Sequence, residues 1–117
     1  MTQVKDMIDE KLDFALAEQL GWVNAWDGIR LLWIDGKTNE FRRKVTDWHP
    51  STDPAASLEV QAKAIEVDGV GYVRNLEIAK WEKIMAPLAR KEVSVLLTAS
   101  PRERAEAAYI TLQGARE

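Results

Sequence analysis

Asp53-Pro54 places the tightest constraint on how this chain can fold. Proline has no backbone N–H and its ring holds φ near −65°, so it suits the first helical position, where that N–H has no partner to lose. Asp53, just before it, is a favoured N-cap. The stretch DWHPSTDPAASLEVQAKAI, Asp47 to Ile65, therefore reads as an extended segment turning into a helix over 54–66. Ala55, Leu58, Ala62 and Ile65 recur at helical spacing as its apolar stripe, and Glu59 and Lys63 form an i, i+4 pair on its polar side. Ser51 and Thr52 are not needed for that helix start and stay open as binding candidates.

A second start is as clear. Ser100-Pro101-Arg102-Glu103 is a capping box with proline in the first turn. Ala105, Ala108, Tyr109 and Leu112 follow as an apolar stripe, and Gly114 is the expected stop, giving a helix over 101–113. Residues 3–20 read as an amphipathic helix capped by Thr2 and ended by Gly21. Val4, Met7, Ile8, Leu12, Phe14, Ala15 and Leu16 form its apolar face, and Asp6, Asp9, Glu10 and Asp13 gather opposite.

Between these helices the pattern turns β-like. Ile29 to Ile34 is a short apolar run, and Asp35-Gly36 is a two-residue hairpin signal. Beyond it, alternation puts Phe41, Arg43 and Val45 on one face and Arg42, Lys44 and Thr46 on the other. VDGVGYV, 67–73, reads as a strand bent at its glycines, and EVSVLLTA, 92–99, as a second short strand. NLEIAKWEKIMAPLA partly suits a helix that Pro87 would end or kink.

With 117 residues, 46% hydrophobic and 30% charged, the chain is expected to form one domain over 1–117 with a single core. No cysteine is present, which excludes disulfides, thiolate metal sites and a cysteine nucleophile. The acidic N-terminal stretch has no run of signal-peptide length, and no stretch approaches the roughly 18 apolar residues of a membrane span. A cytoplasmic location is expected. A net charge of −3 weighs against general nucleic-acid binding, whose affinity comes mainly from neutralising phosphates.

The order of parts is informative. A helix runs into LGW (Leu20 to Trp22), then come the WIDGK turn, the WHPSTDPAASLEV box and the closing ASPRERAEAAYITL helix. This arrangement resembles the phage ABA sandwich domain, a group of small bacteriophage proteins in which a PSTD box opens an alanine-rich helix. The resemblance implies an α/β (α+β) fold, a three-layer α/β/α sandwich with a small, mostly antiparallel sheet, and a phage or prophage origin. It implies no established activity and no catalytic residues. Pro54 departs from the family, which more usually has an aliphatic residue there, and 75–91 matches no pattern of it.

Catalytic constellations are scarce. His49 is the only histidine, no Walker, GxGxxG, HExxH or EF-hand pattern occurs, and no second histidine could complete a metal set. No cofactor and no metal are expected, and the chain is not expected to be an enzyme. The two helix N-termini could hold an anion through free N–H groups, although each is also explained by plain capping. Arg42-Arg43-Lys44 is either a guarded strand or a small basic patch. Five tryptophans, Trp22, Trp26, Trp33, Trp48 and Trp81, exceed what such a core readily hides, so Trp26 or Trp48 is expected to line a pocket or interface. The candidate binding residues are Trp26, Trp48, His49, Ser51, Thr52, Arg42, Lys44 and Arg102. The expected role is stoichiometric capture of a host protein, for example as an inhibitor of a bacterial defence system. The alternatives are sequestration of a nucleotide-like anion and a homo-oligomeric accessory protein.

Overall fold

The computed structural model describes residues 3–85 and 87–116. Among the described residues four α-helices and three strands follow one another as α1 (Asp9–Gln19), β1 (Trp22–Trp26), β2 (Leu31–Asp35), β3 (Phe41–Lys44), α2 (Pro54–Trp81), α3 (Arg90–Leu96) and α4 (Pro101–Arg116). The chain is thus α+β, and its sheet is antiparallel in the order β1-β2-β3.

The amphipathic N-terminal segment is broken in two. A single 3-10 turn, Val4–Asp6, precedes α1, and Ile8 between them is extended. Thr2, the expected cap, lies outside the described residues. Leu12, Leu16 and Ala17 are fully buried, whereas Ile8 is largely exposed and Phe14 about half exposed. Gly21 ends the segment at φ +85°, a conformation open to glycine at little cost.

Antiparallel pairing sets Trp22 opposite Asp35, Asn24 opposite Trp33 and Trp26 opposite Leu31. The Asp35-Gly36 turn is longer than its dipeptide suggested. Asp35 Oδ1 accepts the amides of Lys37 and Thr38, Asn39 adopts φ +62°, and β3 starts only at Phe41. A register shift at Trp33/Ile34 interrupts the expected alternation of the basic triplet. Trp33 packs edge-on against Phe14 of α1, which fixes that sheet face as the inner one. The other face carries Val23, Ala25, Leu32, Ile34 and Phe41.

Both helix starts form as expected. Asp53 caps α2, accepting the Ala55 amide, with Pro54 at the first turn. Ser100 and Glu103 exchange two hydrogen bonds, 2.8 and 3.1 Å, in a complete capping box. The buried stripe of α2 is displaced, however. Ala56, Ser57, Val60 and Ala64 face the core, while the expected Ala55, Leu58, Ala62 and Ile65 are exposed. Small side chains let backbones approach closely, and α4 answers with fully buried Ala105, Ala107 and Ala108. Close α2–α4 packing thus wins over burial of the larger side chains. Glu59 likewise pairs with Arg43 of β3 at 2.8 Å, and Lys63 turns to Glu66 at 3.4 Å.

Residues 67–73 are not a strand. They continue α2 across a kink at Asp68 (φ −159°, ψ 84°), whose carboxylate accepts the Gly71 amide and so restarts the helix. Tyr72 and Leu76 then reach the core. Residues 92–99 are not a strand either, since α3 and a following turn occupy them. Short apolar runs do not distinguish strand from buried helix, and here the backbone satisfies its own N–H and C=O groups within helical turns. Asp68→Ala is expected to cost about 1 kcal/mol, the usual contribution of a cap, measured as a lower urea midpoint with faster amide exchange at 69–72. No helix among the described residues is long and apolar enough to cross a membrane.

Candidate functional site

Helix α1 and the turn that opens α2 meet at one carboxylate. Asp13, buried on α1, accepts the Ser51 amide at 2.8 Å and the Ser51 hydroxyl at 3.0 Å. Its main-chain oxygen accepts the Trp48 indole N–H at 2.8 Å. The turn closes on itself as well, since Thr52 and Asp53 both donate their amides to the His49 carbonyl. Burial pushes the Asp13 carboxyl above its ordinary value, outweighing the two bonds from Ser51 and the field of His49, which pull it down.

Beside this hub lies a cavity of about 320 Å³. Phe14, Trp33, Val45 and Trp48 form its apolar side, and Glu10, Asp13 and His49 its polar side. Trp48 also lies against Trp22, with ring centroids 4.7 Å apart. His49 donates Nε2–H to the Thr46 carbonyl at 2.7 Å, leaving Nδ1 toward Asp13, 3.9 Å away. Ser51 gives its hydroxyl proton to Asp13 rather than facing His49, and the outer imidazole nitrogen is engaged by a carbonyl. The serine–base contact that activates a nucleophile is not made. Aromatic faces beside two carboxylates favour a cation, and an anion would be repelled.

The expected binding residues fall into three groups. Trp48, His49, Ser51 and Thr52 come together in the α2-opening turn, but Trp48 and Ser51 are buried and hydrogen-bonded internally. Thr52 is exposed, its hydroxyl 3.5 Å from the His49 carbonyl. The amides of Ser51, Thr52, Asp53 and Ala55 all have protein acceptors, so this helix start offers no ready anion cradle. Arg102 serves as a clasp, with its guanidinium bonded to Asp9, Glu106 and the carbonyls of Val4 and Met7. Arg42 pairs with Asp35 at 2.9 Å, holding that carboxyl well below the usual range. Lys44 makes no ion pair among the described residues.

Trp26 stands apart from all of these, at the end of β1 beside the Asp27–Arg30 connection to β2. Asp27 Oδ1 accepts the amides of Ile29 and Arg30, both at 2.8 Å, which fixes the loop. Asp13 and Ile29 were not singled out by their sequence context. Asp13 lies among acidic neighbours on what reads as a solvent face, and its partner is 38 positions away. Among the described residues no group of three or more His, Cys, Asp or Glu side chains could hold a metal ion.

Compared with family models, curated proteins and solved structures, the chain matches none.

Proposed function

We propose that this chain is a non-enzymatic binding protein of a phage or prophage, acting in the host cytoplasm by stoichiometric capture of a host protein. The observation that carries this reading is the apolar tip of the β1–β2 hairpin, where Trp26, Ile29 and Leu31 are 64%, 80% and 47% exposed. Trp26 and Leu31 are directly opposed across the strands, and Ile29 sits in the loop that Asp27 braces. Exposed apolar clusters mark interaction sites, and tryptophan is among the side chains most enriched where binding energy concentrates. A braced loop also loses less freedom on binding than a slack one.

On this reading the partner is a bacterial protein, and blocking a component of an antiviral defence is the most concrete use of such capture. The three-layer α/β/α architecture belongs to the same proposal. Helix α1 packs on the face of the sheet that carries Trp33, and the partner would cover the exposed end of that same face, where Trp26 and Leu31 lie. Trp26→Ser tests the proposal. Wild type is expected to retain one host protein from bacterial lysate at one-to-one stoichiometry, and the variant to bind it roughly thirtyfold more weakly with an unchanged Tm. Equal retention by both proteins, or no retention by wild type, would overturn it.

A further inference from the structure

Helix α2 carries two apolar stripes, and α4 buries only the alanine-rich one. The other, Leu58 and Ile65 continued by Val73, is left about half exposed. Helix α3 crosses opposite without sealing it, so that Val93 is half exposed and Leu97 is 76% exposed. Between them lies a cavity of about 320 Å³, and among the described residues Arg104 of α4 is the sole charged side chain on its wall. Arg104 makes no ion pair among the described residues. The one hydrogen bond of its guanidinium there is from Nη1 to the Ser57 hydroxyl at 3.0 Å. The other polar groups on the wall, Tyr72 and Gln61, are closed on each other at 2.8 Å.

We propose that this cleft binds a medium-chain alkyl carboxylate, its chain lying between Leu58, Ile65, Val93 and Leu97 and its carboxylate on Arg104. Each methylene taken from water onto these side chains contributes favourably, and a guanidinium pairs with a carboxylate through two parallel N–H donors. A single cation without a second positive partner on the wall suits a monoanion better than a phosphate dianion. The volume fits a ligand at the small end of the range for binding pockets, and a partner helix about 10 Å across would not enter it.

Calorimetric titration of the full chain with octanoate, 1-octanol and octyl phosphate tests this. Octanoate is expected to bind about tenfold or more tightly than 1-octanol, because only its carboxylate pairs charge with charge and takes two parallel N–H donors from Arg104. Arg104→Gln is expected to bring octanoate down to the level of 1-octanol while leaving 1-octanol unchanged. Val93→Trp, which fills the cleft from a half-exposed position, is expected to abolish binding of both while melting stays cooperative. Equal affinities of wild type for octanoate and 1-octanol, no binding of either at millimolar concentration, or tighter binding of octyl phosphate than of octanoate would each overturn the assignment. The wild-type comparison decides the matter even if Arg104→Gln fails to fold.

Discussion

Trp33→Ala is expected to cost about 3–5 kcal/mol, the range for deleting a buried aromatic side chain, read as a lower urea midpoint at unchanged m-value. Trp33 is 1% exposed and lies in the central strand, opposite Asn24 on one side and Arg43 on the other. Its ring meets Phe14 edge-on, with centroids 4.7 Å apart, and this contact is where the sheet is seated on α1. A three-stranded sheet needs a packed face to be stable, and removing its largest buried side chain leaves a void that neighbouring strands cannot close. Trp26→Ala in the adjacent strand is expected to change stability by no more than about 0.5 kcal/mol, as surface substitutions usually do. The same residue type thus plays opposite parts seven residues and one turn apart in the chain's β unit. A cost below about 1 kcal/mol for Trp33→Ala would contradict this account of how the sheet is anchored.

Asp13→Ala is expected to cost about 2–4 kcal/mol, because it strands the buried amide and hydroxyl of Ser51 together, each worth about 1–3 kcal/mol when left unsatisfied. Asp13→Asn keeps an acceptor for the Ser51 amide and is expected to be much milder. The asparagine variant also isolates the pH dependence of this group. Burial holds the Asp13 carboxyl above its ordinary value of 3.8, so the native state keeps a proton that the unfolded chain has released. Stability from Asp13 is therefore present below about 3.8 and lost as pH rises through the native value. Asp27 and Asp35 act in the opposite direction. Their carboxyls are held below the ordinary value by backbone amides and by Arg42, so their stability is present above it and lost as pH falls. Subtracting wild type from Asp13→Asn cancels those two, and the variant's relative stability is expected to rise with pH. A flat difference between acid and neutral pH would show that Asp13 keeps its ordinary affinity for protons.

The local devices were legible because their physics is local. Asp53 and Pro54 open α2, the Ser100–Glu103 box opens α4, and Gly21 ends the first helix, each through bonds or dihedrals within a few residues. Of the two tryptophans expected to line a pocket or interface, Trp48, although buried, lines the cavity beside Asp13, and Trp26 is exposed at the hairpin tip. Residues 67–73 and 92–99 were misread as strands because short runs rich in valine and leucine fit either period. What decided them was a place on a helical layer for Tyr72, Leu76 and Leu96, and that exists only once α2 and α4 have met.

By itself, then, the amino-acid order determined where α2 and α4 begin, where a hairpin turns, and that no cysteine chemistry is available. The tertiary structure alone decided which stripe of α2 is buried, that Asp13 leaves the solvent to hold Ser51, that Arg102 becomes a clasp and that Arg104 is left facing an apolar cleft. The physical reason is range. Caps and turns close hydrogen bonds across two to four residues, whereas burial and ion pairing are settled by whichever distant surfaces pack most closely, and here paired alanines set that distance.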